Sequence, residues 1–172
     1  MDILFVSGEE SKNIIGCYGN IEGIAAVVVT VFPDNSKYEI IDSMFRRRLG
    51  LKPTADALLG LADIHKVKYI IGNQLVENVY HGGTLEKNYA FPVEIQWETN
   101  EINVEKFLFL TECYFNESRL KLSADVEDVI EKELKSFDLQ KYRDYGQASH
   151  RLFAFFHAIA AARSSIPTWA KS

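Results

Sequence analysis

The sequence contains one basic run, Arg46-Arg47-Arg48, with Lys12 and Lys52 as further cations. Such side chains could bind the phosphate groups of a nucleic acid, and that binding would weaken as the salt concentration rises. The run ends a predicted strand, in which successive side chains point to alternate faces, so only part of it can serve one surface. A solvated strand end explains the same residues, and both interpretations stay open.

Other residue types do not form recognisable chemical motifs. Cys17 and Cys113 belong to no CxxC or Cys/His cluster of the kind that binds zinc, and they form no disulfide framework. No Ser-His-Asp or Cys-His arrangement can be recognised. Gly82-Gly83 lacks the lysine and the following helix of a phosphate-binding loop. The sequence therefore carries no motif that by itself indicates an enzyme.

Length and composition predict one domain over residues 1–172, with 47% hydrophobic residues. The net charge is −5, whereas a nucleic-acid-binding domain usually has a basic excess. The apolar runs are shorter than the roughly 18 residues that span a bilayer, and the start lacks the basic region of a signal peptide. With cysteines expected to be reduced, these features predict a cytoplasmic protein with no membrane partner.

The first third of the chain predicts an antiparallel β-meander. Residues 3–6 form an apolar run too short for a helix, and residues 24–32 are β-branched and nearly continuous, as in a buried strand. A proline-containing turn leads back into a third strand over residues 38–45. Residues 8–20 are polar and hold three glycines, which predicts a loop.

Helical and extended patterns alternate in the rest of the chain. The predicted elements are a helix beginning at Pro53, a strand over 67–71, a short helix over 74–80, an edge strand over 91–97, an extended link over 119–122, and helices over 101–115, 124–136 (with Ser123 as N-cap) and 148–163. A strand–helix–strand crossover favours a parallel fourth strand. The predicted fold class is α/β, with a five-stranded mixed sheet whose first three strands are antiparallel, flanked by helices.

This order of elements is that of the RNase H-like fold, and three groups of residues carry a closer similarity. They are Gly19-Asn20 before an apolar strand, the segment 37–48 with its tyrosine, aspartate and basic end, and the segment 93–122 followed by Glu133-Leu134 before the final helix. On these residues the sequence resembles the C-terminal nuclease domain of the large terminase subunit of tailed bacteriophages. The resemblance spans essentially the whole chain.

The resemblance implies an RNase H-like fold and a DNA-cleaving site in which acidic residues hold two divalent metal ions. The family has these acids on the first strand, at the end of the fourth strand and at the start of the last helix. In this sequence the corresponding positions are Ser7, Gly72, Ser149, His150 and Phe153, and none is a carboxylate. The expectation is a nuclease-like fold that does not cut DNA.

An active site with shifted ligands is the alternative. Glu9 and Glu10 follow the first predicted strand, Glu77 follows the fourth, and His150 begins the last helix, so these residues could bind Mg²⁺ or Mn²⁺. A residue two positions beyond a strand end lies several Å from the expected place, so we favour solvated surface charges. We therefore predict no catalytic residue, no bound metal and no cofactor.

The preferred hypothesis is a terminase nuclease-like domain of phage or prophage origin, related to viral DNA packaging, in the cytoplasm of a bacterial host. It would bind DNA weakly through Arg46, Arg47, Arg48 and Lys52. Because the sequence has no P-loop, its partner would be a separate packaging ATPase or another phage protein. The alternatives are an active metal-dependent DNA endonuclease and a non-catalytic protein-binding module on the same fold.

Overall fold

The computed structural model describes residues 10–47, 50–67, 69–73, 94–97 and 102–163, and only the backbone of residues 51, 52 and 94–97. Its elements are β1 (Lys12–Asn20), β2 (Gly23–Val31), β3 (Tyr38–Arg47), α1 (Leu51–Ile64), β4 (Tyr69–Gly72), β5 (Glu94–Trp97), α2 (Val104–Asn116), β6 (Leu120–Leu122), α3 (Glu127–Ser136), α4 (Leu139–Tyr145) and α5 (His150–Arg163). The elements predicted over residues 3–6 and 74–80 lie outside the described residues.

The strands form one mixed sheet in the order β5-β4-β1-β2-β3-β6. Strands β1, β2 and β3 pair antiparallel, while β4 is parallel to β1, β5 to β4 and β6 to β3. The α/β class, the antiparallel meander and the parallel fourth strand are confirmed. Leu120–Leu122, predicted as an extended link, adds a short sixth strand beside β3 because its backbone pairs with residues 38–40.

The first described strand of the meander is Lys12–Asn20, so the loop predicted over residues 8–20 is wrong for this segment. That prediction rests on glycines, which are typical of turns. Gly16 instead lies mid-strand beneath α5, where a Cβ would overlap the carbonyl oxygen of Ala154 and lie 2.8 Å from Cβ of Ala158. This glycine allows the helix to approach the strand backbone closely.

Helices cover both faces of the sheet. Alternation along β1 directs Ile14 into the apolar cluster beneath α5 and Ile15 into the cluster beneath α1. Ten of the fourteen residues of α5 are buried, which agrees with the prediction of a buried final helix. Helices α2 and α3 pack on the same cluster as α5 and complete that layer.

A β-bulge in β3 determines on which face of the sheet the side chains of this strand lie. The register shifts beside Val28, whose partner is Asp42, and Ile41 is the extra residue. Oδ2 of Asp42 then lies 2.7 Å from Nε2 of His65, the residue that follows α1. This contact joins the middle of β3 to the end of α1.

Two helix starts differ from the sequence prediction. The hydroxyl of Ser123 donates to the carbonyl oxygen of Ile41 at 3.2 Å instead of capping a helix, and α3 begins only at Glu127. Helix α4, which was not predicted, is capped by Asp138, whose Oδ1 accepts a hydrogen bond from the backbone N–H of Lys141. In the described part of the chain, no helix combines the length and the apolar character needed to cross a bilayer.

Candidate functional site

The C-terminal ends of β1 and β4 meet the N-terminus of α5 at one edge of the sheet. Strands β1 and β4 are parallel neighbours, so both chains leave the sheet on the same side. Tyr18 and Asn20 of β1, Asn73 after β4, and His150 of α5 lie at this edge. We call these four residues the strand-end cluster.

Asn73 extends the pairing of β4 with β1 through its side chain. Its Nδ2 donates to the carbonyl oxygen of Gly19 at 2.7 Å, and the backbone N–H of Gly19 donates to its Oδ1 at 3.0 Å. A side-chain amide thus replaces the next peptide group of the ladder. Both polar atoms of Asn73 are engaged in holding the strand ends together.

His150 is hydrogen-bonded and uncharged at neutral pH. Its Nε2 lies 2.8 Å from Oδ1 of Asn20 and 3.9 Å from Oε2 of Glu22. Because an amide oxygen can only accept, the proton of the neutral ring is on Nε2. Burial lowers the pKa of His150 below its ordinary value, an effect opposed by the carboxylates of Glu22 and Glu133 and reinforced by two nearby arginines.

Tyr18 fills the space between the edge of the sheet and the core. Its ring meets His150 and Phe153 edge-on, with centroid distances of 5.9 Å and 5.1 Å. It also stacks on His157 at 6.3 Å with an interplanar angle of 24°. An aromatic ring therefore occupies the part of the cluster that faces α5.

Glu133 of α3 caps the start of α5. Its Oε1 accepts hydrogen bonds from the Ser149 hydroxyl at 2.7 Å and from the backbone N–H groups of Arg151 and Leu152 at 3.0 Å and 3.3 Å. The Arg151 guanidinium donates to Oε2 at 3.2 Å. The two backbone N–H groups would otherwise be unsatisfied at the helix end. Glu133 therefore fixes the turn that carries His150.

A groove of about 420 Å³ lies beside the cluster, between the ends of β3 and α3 and the start of α5. Its charged lining consists of Arg47, Lys141 and Arg151 on the basic side, and Glu22, Glu133 and Asp138 on the acidic side. With His150 neutral, these formal charges cancel. The groove therefore offers no strong field to attract an anion.

The strand-end cluster does not fit a pair of Mg²⁺ or Mn²⁺ ions. These cations prefer carboxylate and other oxygen ligands, and the cluster consists of a phenol, two amides and an imidazole. The amide of Asn73 and the Oδ1 of Asn20 are already hydrogen-bonded. Within the ranges that the structure describes, His, Cys, Asp and Glu side chains form no group of three that could hold a metal ion.

Four of the five positions assigned from the resemblance lie at or near this cluster. His150 belongs to it, and Ser149 and Gly72 are sequence neighbours of its members. Phe153 lies one turn further along α5, where it is 1% exposed in the aromatic core. Ser7 lies outside the described residues.

The structure separates Glu10 from His150, the two shifted ligands of the alternative hypothesis that lie among the described residues. Glu10 precedes β1, with its carboxylate 3.0 Å from Nζ of Lys12, whereas His150 contacts the opposite end of the strand. Ten residues of extended chain span about 30 Å, so one metal ion cannot bind both side chains. Glu9 and Glu77 lie outside the described residues.

The basic run is divided between two surfaces. Arg46 and Arg47 are both exposed at the end of β3, but of the two only Arg47 lines the groove. The Arg47 guanidinium lies 5.7 Å from the centre of the Phe45 ring, two residues earlier on the same side of the strand. Arg48 and the side chain of Lys52 lie outside the described residues.

Tyr18, Asn20 and Asn73 were not predicted as site residues. Neutral polar residues after a strand are common in loops, so their type carries no chemical signal. The signal available in the sequence is the dipeptide Gly-Asn, which occurs at the end of β1 (Gly19-Asn20) and again at the end of β4 (Gly72-Asn73). Its significance depends on knowing that the two strands are parallel neighbours.

No family model matches the sequence, and no curated protein sequence matches it. Solved structures do match. The large terminase of a thermophilic bacteriophage aligns with a TM-score of 0.63 at 11% identity, over 87% of this chain and 39% of that one. The large terminase nuclease of a second thermophilic phage, G20c, aligns with a TM-score of 0.61 at 12% identity, over 94% and 87% of the two chains.

The Mn-soaked human cytomegalovirus terminase nuclease domain gives a TM-score of 0.63 at 9% identity, over 97% of this chain and 93% of that one. This chain thus aligns with nearly the whole of the isolated nuclease domains, but with only 39% of the first phage's large terminase. Identities this low show a shared architecture. The chain has the RNase H-like α/β fold of the large terminase nuclease domains.

Proposed function

We propose that this chain is a nuclease-like module related to viral DNA packaging that does not cleave DNA. The relation to packaging is supported by the fold, because the three matching structures described above are terminases or terminase nuclease domains. The loss of cleavage is supported by one observation. Near the end of β4 and at the start of α5, where the resemblance implies acids, the chain has Gly72, Ser149, His150 and Phe153, and the side chains that gather there with His150 are Tyr18, Asn20 and Asn73.

Two-metal cleavage of a phosphodiester needs carboxylates to bind the metal ions. They hold two cations about 4 Å apart, and the cations then stabilise the attacking and leaving oxygens. Neutral amides and a neutral imidazole supply no negative charge for that purpose. In this chain the same atoms hydrogen-bond to one another and to the backbone, so the cluster joins the strand ends instead of holding ions.

Supercoiled plasmid is expected to remain uncut when it is incubated with the protein and Mn²⁺ or Mg²⁺. Calorimetric titration of either metal is expected to give no binding heat above that of buffer, because no group of three metal-binding side chains forms among the residues that the structure describes. The SPP1 large terminase nuclease domain, whose structure contains bound Mn, serves as the metal-binding reference.

Metal-dependent nicking that co-elutes with the folded protein would contradict the proposal. The substitutions Glu22→Gln and Glu133→Gln then identify the source, since these two carboxylates border the cluster. Glu9→Gln and Glu77→Gln test the remaining acids of the shifted-ligand alternative.

Any DNA contact in this proposal is weak, independent of metal and dependent on Arg47. Replacing one phosphate-contacting cation lowers the slope of log K against log salt concentration by about one. The variant Arg47→Gln is therefore expected to lower the slope by about one in a fluorescence-anisotropy titration with duplex DNA. Arg46→Gln is the matched control, because the neighbouring side chain does not line the groove.

Equal losses from both arginine variants would place the contact elsewhere on the strand end. The absence of DNA binding at any salt concentration would favour the protein-binding module. The balanced charges of the groove and the net charge of −5 are consistent with a protein-binding module.

A further inference from the structure

We propose that the outer side of β3 over residues 43–47 docks an extended acidic peptide of a partner protein, which pairs with β3 as an added strand. We call this stretch the open edge. The inference does not depend on whether the chain binds or cleaves DNA. It rests on the direction of the backbone groups along β3, on the groove beside them and on the positive charge at the strand end.

Strand β6 covers only the first part of β3. It pairs with residues 38–40, and the backbone N–H of Ser123 then donates to the carbonyl oxygen of Ile40 at 3.0 Å. The next carbonyl, that of Ile41, accepts from the Ser123 hydroxyl. From there to Arg47, no strand in the described part of the chain lies beside β3 on this side. Residues 43–47 are therefore an edge of the described sheet.

The register of β3 shows which backbone groups point away from β2 at the open edge. The carbonyl of Ile40 points away, since it accepts from Ser123. The direction alternates along a strand, and the bulge inserts one extra residue after Ile40. The backbone groups of Ser43, Phe45 and Arg47 therefore point outward, while those of the residues between them face β2.

The outward groups suit a parallel strand. The N–H of Ser43 is satisfied, because it donates to Oδ1 of Asp42 at 2.8 Å. The carbonyl of Ser43, both groups of Phe45 and the N–H of Arg47 have no backbone partner among the described residues. A parallel neighbour uses this set, because each outward-facing residue bonds to two residues of the neighbouring strand. β6 pairs with β3 in the same direction.

The open edge borders the groove beside the strand-end cluster. Residues 41–45 are half-buried and Arg46 and Arg47 are exposed, whereas residues 23–29 of β2 are all buried. Phe45 and Arg47 line the groove, which has a volume of about 420 Å³. Side chains opposite each other on neighbouring strands point to the same face of a sheet, so alternate residues of an added strand lie at the groove. The backbone then supplies affinity, and the groove selects side chains.

The charge at the end of β3 favours an acidic peptide. Arg46 and Arg47 are exposed on opposite faces of the strand, so an added strand meets a cation on each face. The acid of this half of β3, Asp42, is already engaged by His65 and by the N–H of Ser43. Pairing the open edges of two copies would instead bring four exposed arginine side chains together, and like charges across a sheet are destabilising. Charge therefore favours a carboxylate-bearing strand over a second copy.

The probe is a fluorescein-labelled peptide of sequence Thr-Val-Thr-Val-Glu-Glu-Thr, whose adjacent glutamates face opposite sides of an extended strand. Its anisotropy is expected to rise and saturate between about 10 µM and about 1 mM protein, the range of a small transient interface. Replacing both glutamates of the peptide by lysine is expected to weaken binding by about tenfold or more. Equal binding of the two peptides, or no binding of either, would overturn the proposal.

Main-chain pairing is tested with two further peptides, N-methylated on alternate residues in the two possible frames. Successive N–H groups of a strand point to opposite edges, so one frame removes the donors that face β3 and the other removes those that face solvent. One peptide is expected to lose binding and the other to retain it. A peptide held by its side chains alone would respond equally to both frames.

Two variants of one residue separate the charge from the backbone donor. Arg47→Gln removes the charge alone and is expected to weaken peptide binding several-fold. Arg47→Pro also removes the outward N–H, leaves the bonds to β2 in place, and is expected to weaken binding by about a further tenfold. Circular dichroism shows whether both variants are folded. Equal effects of the two substitutions would contradict pairing through the backbone.

Hydrogen exchange followed by NMR requires no variant. The N–H groups of Phe45 and Arg47 are expected to exchange readily in the free protein and about tenfold more slowly with saturating peptide. The N–H of Met44, which faces β2, is expected to be protected in both states. Protection of Phe45 and Arg47 in the free protein would overturn the proposal, because the open edge would then already be paired.

Discussion

The variant Gly16→Ala is expected to lose about 3 kcal/mol or more of unfolding free energy, as severe overpacking in a core does. The added Cβ overlaps the carbonyl oxygen of Ala154 and lies 2.8 Å from Cβ of Ala158. Neither the central strand β1 nor the buried helix α5 can move without disturbing the core around both. Urea denaturation followed by circular dichroism measures the loss.

Gly60→Ala is the matched control. Gly60 lies in α1 with open space around the position of a Cβ, and alanine is favoured over glycine in a helix by up to about 1 kcal/mol. This variant is expected to be as stable as the parent chain or slightly more stable. If Gly16→Ala were equally well tolerated, the close packing of α5 on β1 would be wrong.

Gly16 also explains why the sequence predicted most of the sheet but not its central strand. Residues 24–32 form a nearly continuous apolar run, and a proline-containing turn leads from it into the strand at 38–45, so these two strands are clear from the sequence. The segment 12–20 is a strand because α5 covers it and β2 and β4 flank it. Gly16 satisfies a tertiary contact with α5, which local propensity cannot reveal.

The candidate site was also only partly predictable from the sequence. The start of the last helix was predicted correctly enough to single out His150, because a long apolar helix is visible in the sequence. Asn20 and Asn73 were not predicted, because they meet only through the parallel pairing of β1 and β4. Glu133, predicted as part of a short motif, acts as the cap of a helix that begins seventeen residues later.

The folded chain shows where the acidic residues that give the net charge of −5 are located. The members of the strand-end cluster are uncharged at neutral pH, and the charges that line the neighbouring groove cancel. The excess of acids therefore lies elsewhere, for example at Glu127, Asp128 and Glu131 on α3. Within the described ranges, the cluster itself carries no concentrated negative charge that a metal ion would have to neutralise before DNA could approach.

Acidification is expected to destabilise the protein through His157. Its side chain is 2% exposed, its Nδ1 has no hydrogen-bond partner among the described residues, and burial lowers its pKa to about 4 from an ordinary value of 6.5. The unfolded chain then binds more protons than the folded chain as the pH falls through this range, so stability decreases. The loss from this residue is about 2 kcal/mol between about pH 7 and about pH 5.

The variant His157→Leu should remove this loss, because it has no group to protonate and leaves no polar atom unsatisfied. We expect it to be at least as stable as the parent at neutral pH and to lose about 2 kcal/mol less on acidification, measured by urea denaturation at both pH values. His150→Gln should reduce the loss less, since His150 is only half-buried and faces Glu22 and Glu133. A proton NMR titration of the parent chain provides a check that needs no variant: a His157 midpoint near its ordinary value would contradict the prediction, because burial of the uncharged ring is what makes the fold sensitive to acid.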